Sequence, residues 1–166
     1  TFDKKRAMDI CDGIINRKIG LPWGCSTRVD LVSEEILNKM ARANCNEVCF
    51  GVESGCQKIL NAVHKRVSPE QNERAIKWAK NAGMFVSVSV IIGYPGETKE
   101  TVKETLNLIH RVEPDDVWLC LPTPYPGTEL RTLVENMGWK ISDDWTQYNT
   151  MNSVFENPDL PAEELV

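Results

Sequence analysis

The sequence lacks the long apolar run that a membrane-spanning helix needs: nothing in it approaches roughly 20 consecutive apolar residues. It also lacks a basic block interleaved with aromatic residues, and 24 acidic against 19 basic residues give a net charge of −5. The basic residues at its start are not followed by an apolar stretch, so they do not form a signal peptide pattern. We therefore expect a cytoplasmic protein with no membrane span and no nucleic-acid partner.

Closely paired cysteines are missing as well. The six cysteines are scattered, and no two of them form a C-x-x-C pair. Because the chain has ample core-forming segments, this pattern favours reduced thiols over a disulfide scaffold. Cys45, Cys49 and Cys56 resemble cluster ligands only superficially, since Cys49 falls inside an apparent strand where its thiol is expected to pack in the core. We expect no metal site built from these cysteines.

Apolar, β-branched segments alternate with amphipathic helical segments along the chain. Four strands are predicted to start near Leu21, Val48, Met84 and Val117. Their spacing predicts an α/β fold whose parallel sheet is covered by helices, forming part of a (βα)n TIM-type barrel. The clearest helix start is at Ser68, where Pro69 takes the first helical position and Gln71 completes a capping box. Residues 1–138 are predicted to form the barrel part, and residues 139–166 an irregular extension or the start of a next domain.

Unusual residues follow the predicted strands at their carboxyl ends. They are Ser26-Thr27-Arg28, Glu53-Ser54, Gly93-Tyr94-Pro95-Gly96-Glu97 and residues 122–127. A carboxylate at the end of an apolar strand, such as that of Glu53, is costly to bury unless it is paired. Since ligands of parallel α/β sheets bind at this edge, the sequence predicts a ligand site there.

Four runs at these strand ends resemble the radical S-adenosylmethionine (SAM) superfamily. They cover residues 23–30, 50–55, 91–98 and 123–130, in the family's order and at its spacing. The resemblance spans about residues 1–138 and is greatest to the cobalamin-binding branch, which includes anaerobic magnesium-protoporphyrin monomethyl ester cyclases. Four runs in register on four consecutive strands make the resemblance specific.

The resemblance implies that the chain supplies about the third to sixth strands of a six-stranded radical SAM core. The family's C-x3-C-x2-C motif is absent, so the ligands of its [4Fe–4S] cluster are expected upstream and the excerpt alone is expected to be inactive. In the full-length enzyme, reductive cleavage of SAM yields a 5′-deoxyadenosyl radical that takes hydrogen from a substrate. The resemblance also implies a small-molecule substrate, an electron donor such as ferredoxin or flavodoxin, and cobalamin as a candidate further cofactor.

Cofactor-binding roles follow from the same resemblance, whereas no catalytic residue is expected in this chain. Glu53 and Ser54 are implied to face the ribose or amino group of SAM, and the alternative is an ordinary helix N-terminus. Arg28 is implied to meet the SAM carboxylate or an anionic substrate group, because its fork matches carboxylate geometry. The alternative for Arg28 is a salt bridge to Asp30 or to a neighbouring helix. Lys65, twelve residues after Glu53, is implied to meet the SAM carboxylate, a role that the adjacent Arg66 could also fill. The alternative for Lys65 is an ordinary solvated lysine.

The remaining implied contacts lie on the last two strands. Ser89 is implied to reach the SAM ribose, and the alternative is a polar layer inside the barrel. The backbone of Gly93, Tyr94 and Pro95 is implied to approach adenine, and Tyr125 to flank it. Glu97 stands one place later than the family's glutamate, so its role stays open, and the alternative to a family role is helix capping.

Two other functions stay open at this point. An unrelated α/β domain could cradle a phosphate with the turn at residues 93–98, at a helix N-terminus. That function does not explain why three other strand ends match. A non-catalytic interaction domain would instead present a large exposed apolar patch.

Overall fold

A computed structural model describes residues 3–161. Residues 1–2 of the predicted barrel part and residues 162–166 of the predicted extension lie outside the described residues. The described part contains a four-stranded sheet in the order β1-β2-β3-β4, and every neighbouring pair is parallel. The strands are β1 (Trp23–Thr27), β2 (Cys45–Glu53), β3 (Phe85–Ile91) and β4 (Asp116–Cys120). The predicted parallel sheet, with strands in chain order, is confirmed.

Helices precede, connect and follow the strands. They are α1 (Lys4–Asn16), α2 (Glu34–Arg42), α3 (Gln57–Ala62), α4 (Pro69–Asn81), α5 (Lys99–Val112) and α6 (Glu129–Asn136), with 3-10 turns at Val29–Leu31 and Trp145–Gln147. The capping box at the start of α4 is confirmed: Ser68 Oγ accepts from the Gln71 amide, and Gln71 Oε1 accepts from the Ser68 amide. Local sequence signals therefore fixed where this helix begins.

One face of the sheet packs against the helices and forms the core. Its apolar residues alternate along the two central strands, as expected for side chains that point to opposite faces. They are Val48, Phe50 and Val52 of β2 and Val86, Val88 and Val90 of β3, all nearly inaccessible. Helical residues such as Leu37, Ile76 and Leu108 complete this core.

The other face of the sheet carries small and polar residues. On β2 it presents Cys49 and Gly51, and on β3 the half-buried Ser89. The expectation that the Cys49 thiol packs in the core is wrong, because Cys49 lies between Val48 and Phe50 and so points to the opposite face. We call this surface the inner face, since it would line a barrel.

Residues 139–161, the C-terminal extension, fold back on α6. Tyr148, Val154 and Phe155 pack with Val134 of α6 in a second apolar cluster, separate from the sheet core. A single antiparallel bridge joins Ile141 and Phe155. Within residues 3–161, no helix combines the length and the apolar character needed to cross a bilayer.

Candidate functional site

Glu53 ends β2 in an unusual backbone conformation. Its φ is +62°, in the left-handed region, and the pairing register with β3 shifts between Gly51 and Glu53. Lys65 Nζ lies 2.6 Å from Glu53 Oε1, and these side chains are only 10% and 20% exposed. The ion pair offsets the cost of burying both charges. Strained backbone of this kind is concentrated at functional sites.

Gly51 makes room for that ion pair on the inner face. A Cβ atom at this position would lie 2.7 Å from Glu53 Oε1 and 3.0 Å from Lys65 Nζ. Both distances are shorter than ordinary van der Waals contacts, so a side chain here would displace the pair. The glycine therefore shapes a small cradle at the end of β2.

Arg28 supports Lys65 through the backbone. Its guanidinium donates to the Lys65 carbonyl at 2.8 Å and to both carboxylate oxygens of Asp30, at 2.9 and 3.0 Å. The hydrogen bond from Arg28 lowers the pKa of Asp30. The residues on either side of Lys65, His64 and Arg66, both have positive φ. The predicted alternative for Arg28, a salt bridge to Asp30, is present, and the guanidinium is already hydrogen-bonded to groups of the protein.

A cleft of about 360 Å³ opens at the carboxyl ends of β2, β3 and β4. Four of the predicted site residues line it: Glu53, Ser89, Tyr94 and Tyr125. Thr150 of the C-terminal extension lines it as well. Burial raises the pKa of the Tyr94 hydroxyl, which indicates a poorly solvated wall.

Glu97 holds the turn that follows β3. Its side chain is fully buried, and Oε2 accepts hydrogen bonds from the Gly93 amide at 2.6 Å and the Tyr94 amide at 3.3 Å. Helix capping, the alternative for Glu97, does not apply: Thr98 is the N-cap of α5, while the Glu97 carboxylate accepts from the turn before it. Oε1 has no hydrogen-bond partner among the described residues, and burial raises the pKa of this carboxyl group.

Ser54 faces away from the cleft. Its buried hydroxyl lies 3.1 Å from Thr105 Oγ1 of α5 and accepts a hydrogen bond from the Cys56 amide. Gly93 and Pro95 are also buried, so they can contribute to the site only through backbone atoms and the proline ring. The structure thus brings Glu53, Lys65, Ser89, Tyr94 and Tyr125 together. Arg28 and Ser54 instead hydrogen-bond to the backbone of Lys65 and Cys56, next to the site.

Comparison with known proteins identifies the family. Residues 2–109 match the radical SAM superfamily. The chain is 32% identical over 165 residues to an uncharacterized methyltransferase of Pyrococcus horikoshii, covering 99% of this chain and 36% of the relative. It is 30% identical over 169 residues to the anaerobic magnesium-protoporphyrin IX monomethyl ester cyclase of Rubrivivax gelatinosus, covering 100% and 30%.

The fold agrees with that assignment. The radical SAM methyltransferase TsrM from Kitasatospora setae, solved with cobalamin and a [4Fe-4S] cluster, superposes with a TM-score of 0.62 at 20% identity, over 69% of this chain and 24% of that one. The chain therefore belongs to the radical SAM superfamily and forms part of its TIM-type core. It spans about a third of the length of these curated relatives.

The family uses SAM and a [4Fe-4S] cluster, and the described residues fit only the first. The cradle over Gly51 holds one carboxylate and one ammonium group, which complement the two charges of an amino acid. By contrast, no three His, Cys, Asp or Glu side chains within residues 3–161 gather as a metal site. Any cluster ligands must come from residues other than these.

Two contributors to the site gave no usable signal in the sequence. Gly51 is one glycine in a strand, and its importance depends on where the Glu53 and Lys65 side chains lie. Asn157 lies in the C-terminal extension, yet its side chain contacts Gly93. The sequence showed Glu97 only as the last residue of the Gly-Tyr-Pro-Gly-Glu run, and this pattern did not predict its buried hydrogen bonds to the Gly93 and Tyr94 amides.

Proposed function

We propose that the complete protein is a radical SAM enzyme and that this chain forms the wall of its barrel that binds SAM. The observation that carries the proposal is the Glu53–Lys65 ion pair, which lies over Gly51 beside the cleft. SAM ends in an amino acid with one ammonium and one carboxylate group. Glu53 provides a partner for the ammonium and Lys65 one for the carboxylate, so the pair is complementary to this zwitterion.

The other predicted residues take roles consistent with their positions. Ser89 offers a hydroxyl to the ribose from the inner face, and Tyr94 and Tyr125 provide flat walls for adenine. The backbone of Gly93, Tyr94 and Pro95 follows the same wall. Arg28 contributes by fixing the Lys65 carbonyl, and Ser54 by fixing the turn after β2.

The cofactors and partners of the complete protein belong to the same proposal. The [4Fe–4S] cluster, held by cysteines outside the described residues, supplies the electron for reductive cleavage of SAM. A ferredoxin or flavodoxin in the cytoplasm would reduce it, and the substrate would be a small molecule. Cobalamin is a candidate further cofactor because the TsrM structure with this fold contains it.

A phosphate site at the 93–98 turn is less compatible with the geometry. The Gly93 and Tyr94 amides, which would have to bind the anion, already donate to the Glu97 carboxylate. A phosphate at this turn would have to compete with the Glu97 carboxylate for the two amide hydrogen bonds, and a second anion beside this acidic group would be unfavourable. The contacts therefore favour the SAM-binding function of the turn.

The test uses the full-length enzyme with its cluster reconstituted. Glu53→Ala should weaken SAM binding about tenfold or more, because a hydrogen bond to a charged group contributes about 1.5–3 kcal/mol. SAM cleavage should fall with it, while iron content and cluster absorbance stay unchanged. Glu47→Ala is the matched control, since this exposed glutamate lies on the same strand at its opposite end.

A second variant probes the cradle without removing a charge. Gly51→Ala places a methyl group against the ends of two flexible side chains, so the fold should tolerate it while the ion pair is displaced. SAM affinity should fall as in the Glu53 variant. Unaltered SAM binding and cleavage in Glu53→Ala would refute the assignment of the site.

A further inference from the structure

We infer that the C-terminal extension is part of the cofactor site and that Asn157 is a positioning residue for the turn after β3. This inference rests on the proposed function, because it assigns a role to residues that hold the proposed SAM-binding turn. The match to the superfamily ends at residue 109, well before Asn157. The contacts of the extension, taken one by one, carry the inference.

Asn157 is held in a defined orientation. Its Nδ2 donates to the Gly93 carbonyl at 3.2 Å, and its Oδ1 accepts from the Asp159 amide at 3.0 Å. The residue is only 8% exposed. Because the Asp159 amide can only donate, it requires the oxygen of the side-chain amide, which directs the nitrogen towards Gly93.

Gly93 is consequently fixed on both sides. Its amide donates to Glu97 Oε2, and its carbonyl accepts from Asn157. The glycine has a φ of +100°, a conformation that side-chain-bearing residues rarely adopt. A backbone so constrained can approach a ligand closely without ordering cost at the moment of binding.

The extension also holds the loop that follows β4. The Leu121 amide donates to the Thr150 carbonyl at 2.6 Å, and the Tyr125 hydroxyl donates to the Tyr148 carbonyl at 2.9 Å. Thr150 itself lines the cleft. One segment thus connects the turns after both strands and contributes to the cleft wall between them.

Asn157 is not part of the apolar cluster that packs the extension against α6. The apolar cluster of the extension consists of Tyr148, Val154 and Phe155 with neighbours on α6, and Asn157 is not among them. Removing its amide leaves this cluster intact but leaves the buried Gly93 carbonyl without that donor. The expected consequence is a looser turn and a weaker SAM site in an enzyme that stays folded.

The experiment compares SAM affinity in the full-length, cluster-containing enzyme. Asn157→Ala should weaken SAM binding about fivefold at every pH, because one hydrogen bond contributes about 1 kcal/mol. Asn157→Asp should bind SAM worse than Asn157→Ala near neutral pH, since an ionised carboxylate cannot donate to a carbonyl. Its affinity should recover as the pH falls and the introduced carboxyl group gains a proton to donate.

Comparing the two variants at each pH cancels the titration of Glu97, Tyr94 and SAM itself. Asn152→Ala is the control: this asparagine is exposed, its hydrogen bonds among residues 3–161 go to nearby Asn149, and the change should leave SAM binding unchanged. If Asn157→Ala fails to fold, the pH profile of Asn157→Asp is compared with that of the wild-type enzyme, which contains the same other titrating groups, so the test remains decisive. A purely structural role would lower melting temperatures and leave SAM affinity flat.

The two proposals fail in different ways. If the wild-type enzyme binds SAM, and Asn157→Asp binds it equally well at all pH values, the positioning role is overturned while the SAM site stands. If the wild-type enzyme with an intact cluster does not bind SAM, the proposed function itself is overturned. A pH-dependent affinity confined to the Asn157→Asp variant supports the inference.

Discussion

Glu53 and Glu97 are both carboxylates at strand ends, but their surroundings differ. Glu53 meets the ammonium of Lys65 at 2.6 Å, so its charge is balanced within the protein. Glu97 meets only backbone amides and keeps one buried oxygen without a partner among the described residues. The first residue is suited to exchange its partner for a ligand, and the second to hold a turn.

The buried state of Glu97 predicts how the stability of the 166-residue chain depends on pH. Burial raises the pKa of its carboxyl group in the fold above the ordinary value of 4.5. The stabilising contribution of the protonated form is present below pH 4.5 and is lost as the pH rises through the folded pKa. Glu97→Gln keeps an acceptor oxygen and has no charge to bury. Its free energy of unfolding, relative to that of the wild-type chain, should therefore rise as the pH increases from 4.5 to 7.

Urea titrations at both pH values measure this difference. Glu100→Gln serves as the control, because Glu100 is exposed and its hydrogen bond from Thr98 lowers its pKa. The free energy of unfolding of Glu100→Gln, relative to that of the wild-type chain, should not increase as the pH rises. If the unfolding free energies of Glu97→Gln and wild type differ by the same amount at both pH values, the expected effect of burying the Glu97 charge is contradicted.

At the scale of elements, the contact between α5 and the turn after β2 decides how closely helix and sheet approach. The Gly55 amide donates to Thr105 Oγ1 at 2.9 Å, and Ser54 bonds to the same hydroxyl. A Cβ atom at Gly55 would lie 2.7 Å from both the Glu104 carbonyl oxygen and Thr105 Cα. These are backbone atoms that cannot rotate away, so the absence of a side chain permits this packing.

Gly55→Ala should therefore destabilise the chain by about 1–3 kcal/mol, the usual cost of overpacking. Gly13→Ala is a matched control, because Gly13 lies within α1 and its Cβ would meet nothing within 4 Å. That change should stabilise the chain by about 0.5–1 kcal/mol through helix propensity. Urea denaturation of both variants measures the contrast, and equal stabilities would show that α5 can shift freely.

At the scale of the whole molecule, the two faces of the sheet have different tasks. The apolar face holds the helices, and the inner face, with Gly51 and Ser89, leaves space for a ligand. The cysteines divide in the same way: Cys45 is buried in the helix-facing core, and Cys49 lies on the inner face. Residues four apart in a regular strand would share a face, but the pairing register of β1 with β2 shifts between Trp23 and Gly24, and the two thiols lie on opposite faces.

The chain by itself should consequently retain no iron–sulfur cluster. Reconstitution with iron and sulfide under reducing conditions should leave no stable charge-transfer absorbance, because three thiolates cannot converge among the described residues. The full-length protein, treated in parallel, should gain the cluster. Stoichiometric iron bound by Cys45, Cys49 and Cys56 in the short chain would contradict this account.

Local sequence patterns were sufficient for the sheet, the helix starts and the edge at which the site lies. Strand alternation, the capping box at Ser68 and the βα spacing act over a few residues, and parallel strands send all their carboxyl ends to one edge. The family resemblance then implied the individual site residues, and four of these, Glu53, Ser89, Tyr94 and Tyr125, line the cleft at that edge.

Only the tertiary structure decided which partners the side chains at that edge find. Ser54 follows Val52 to the helix-facing side and contacts Thr105 of α5, and the Glu53 carboxylate, on a backbone with positive φ, pairs with Lys65. Asn157 reaches Gly93 from a distant part of the chain. Such contacts depend on how separate segments pack, and no short-range pattern in the sequence records the partner that a buried polar atom will find.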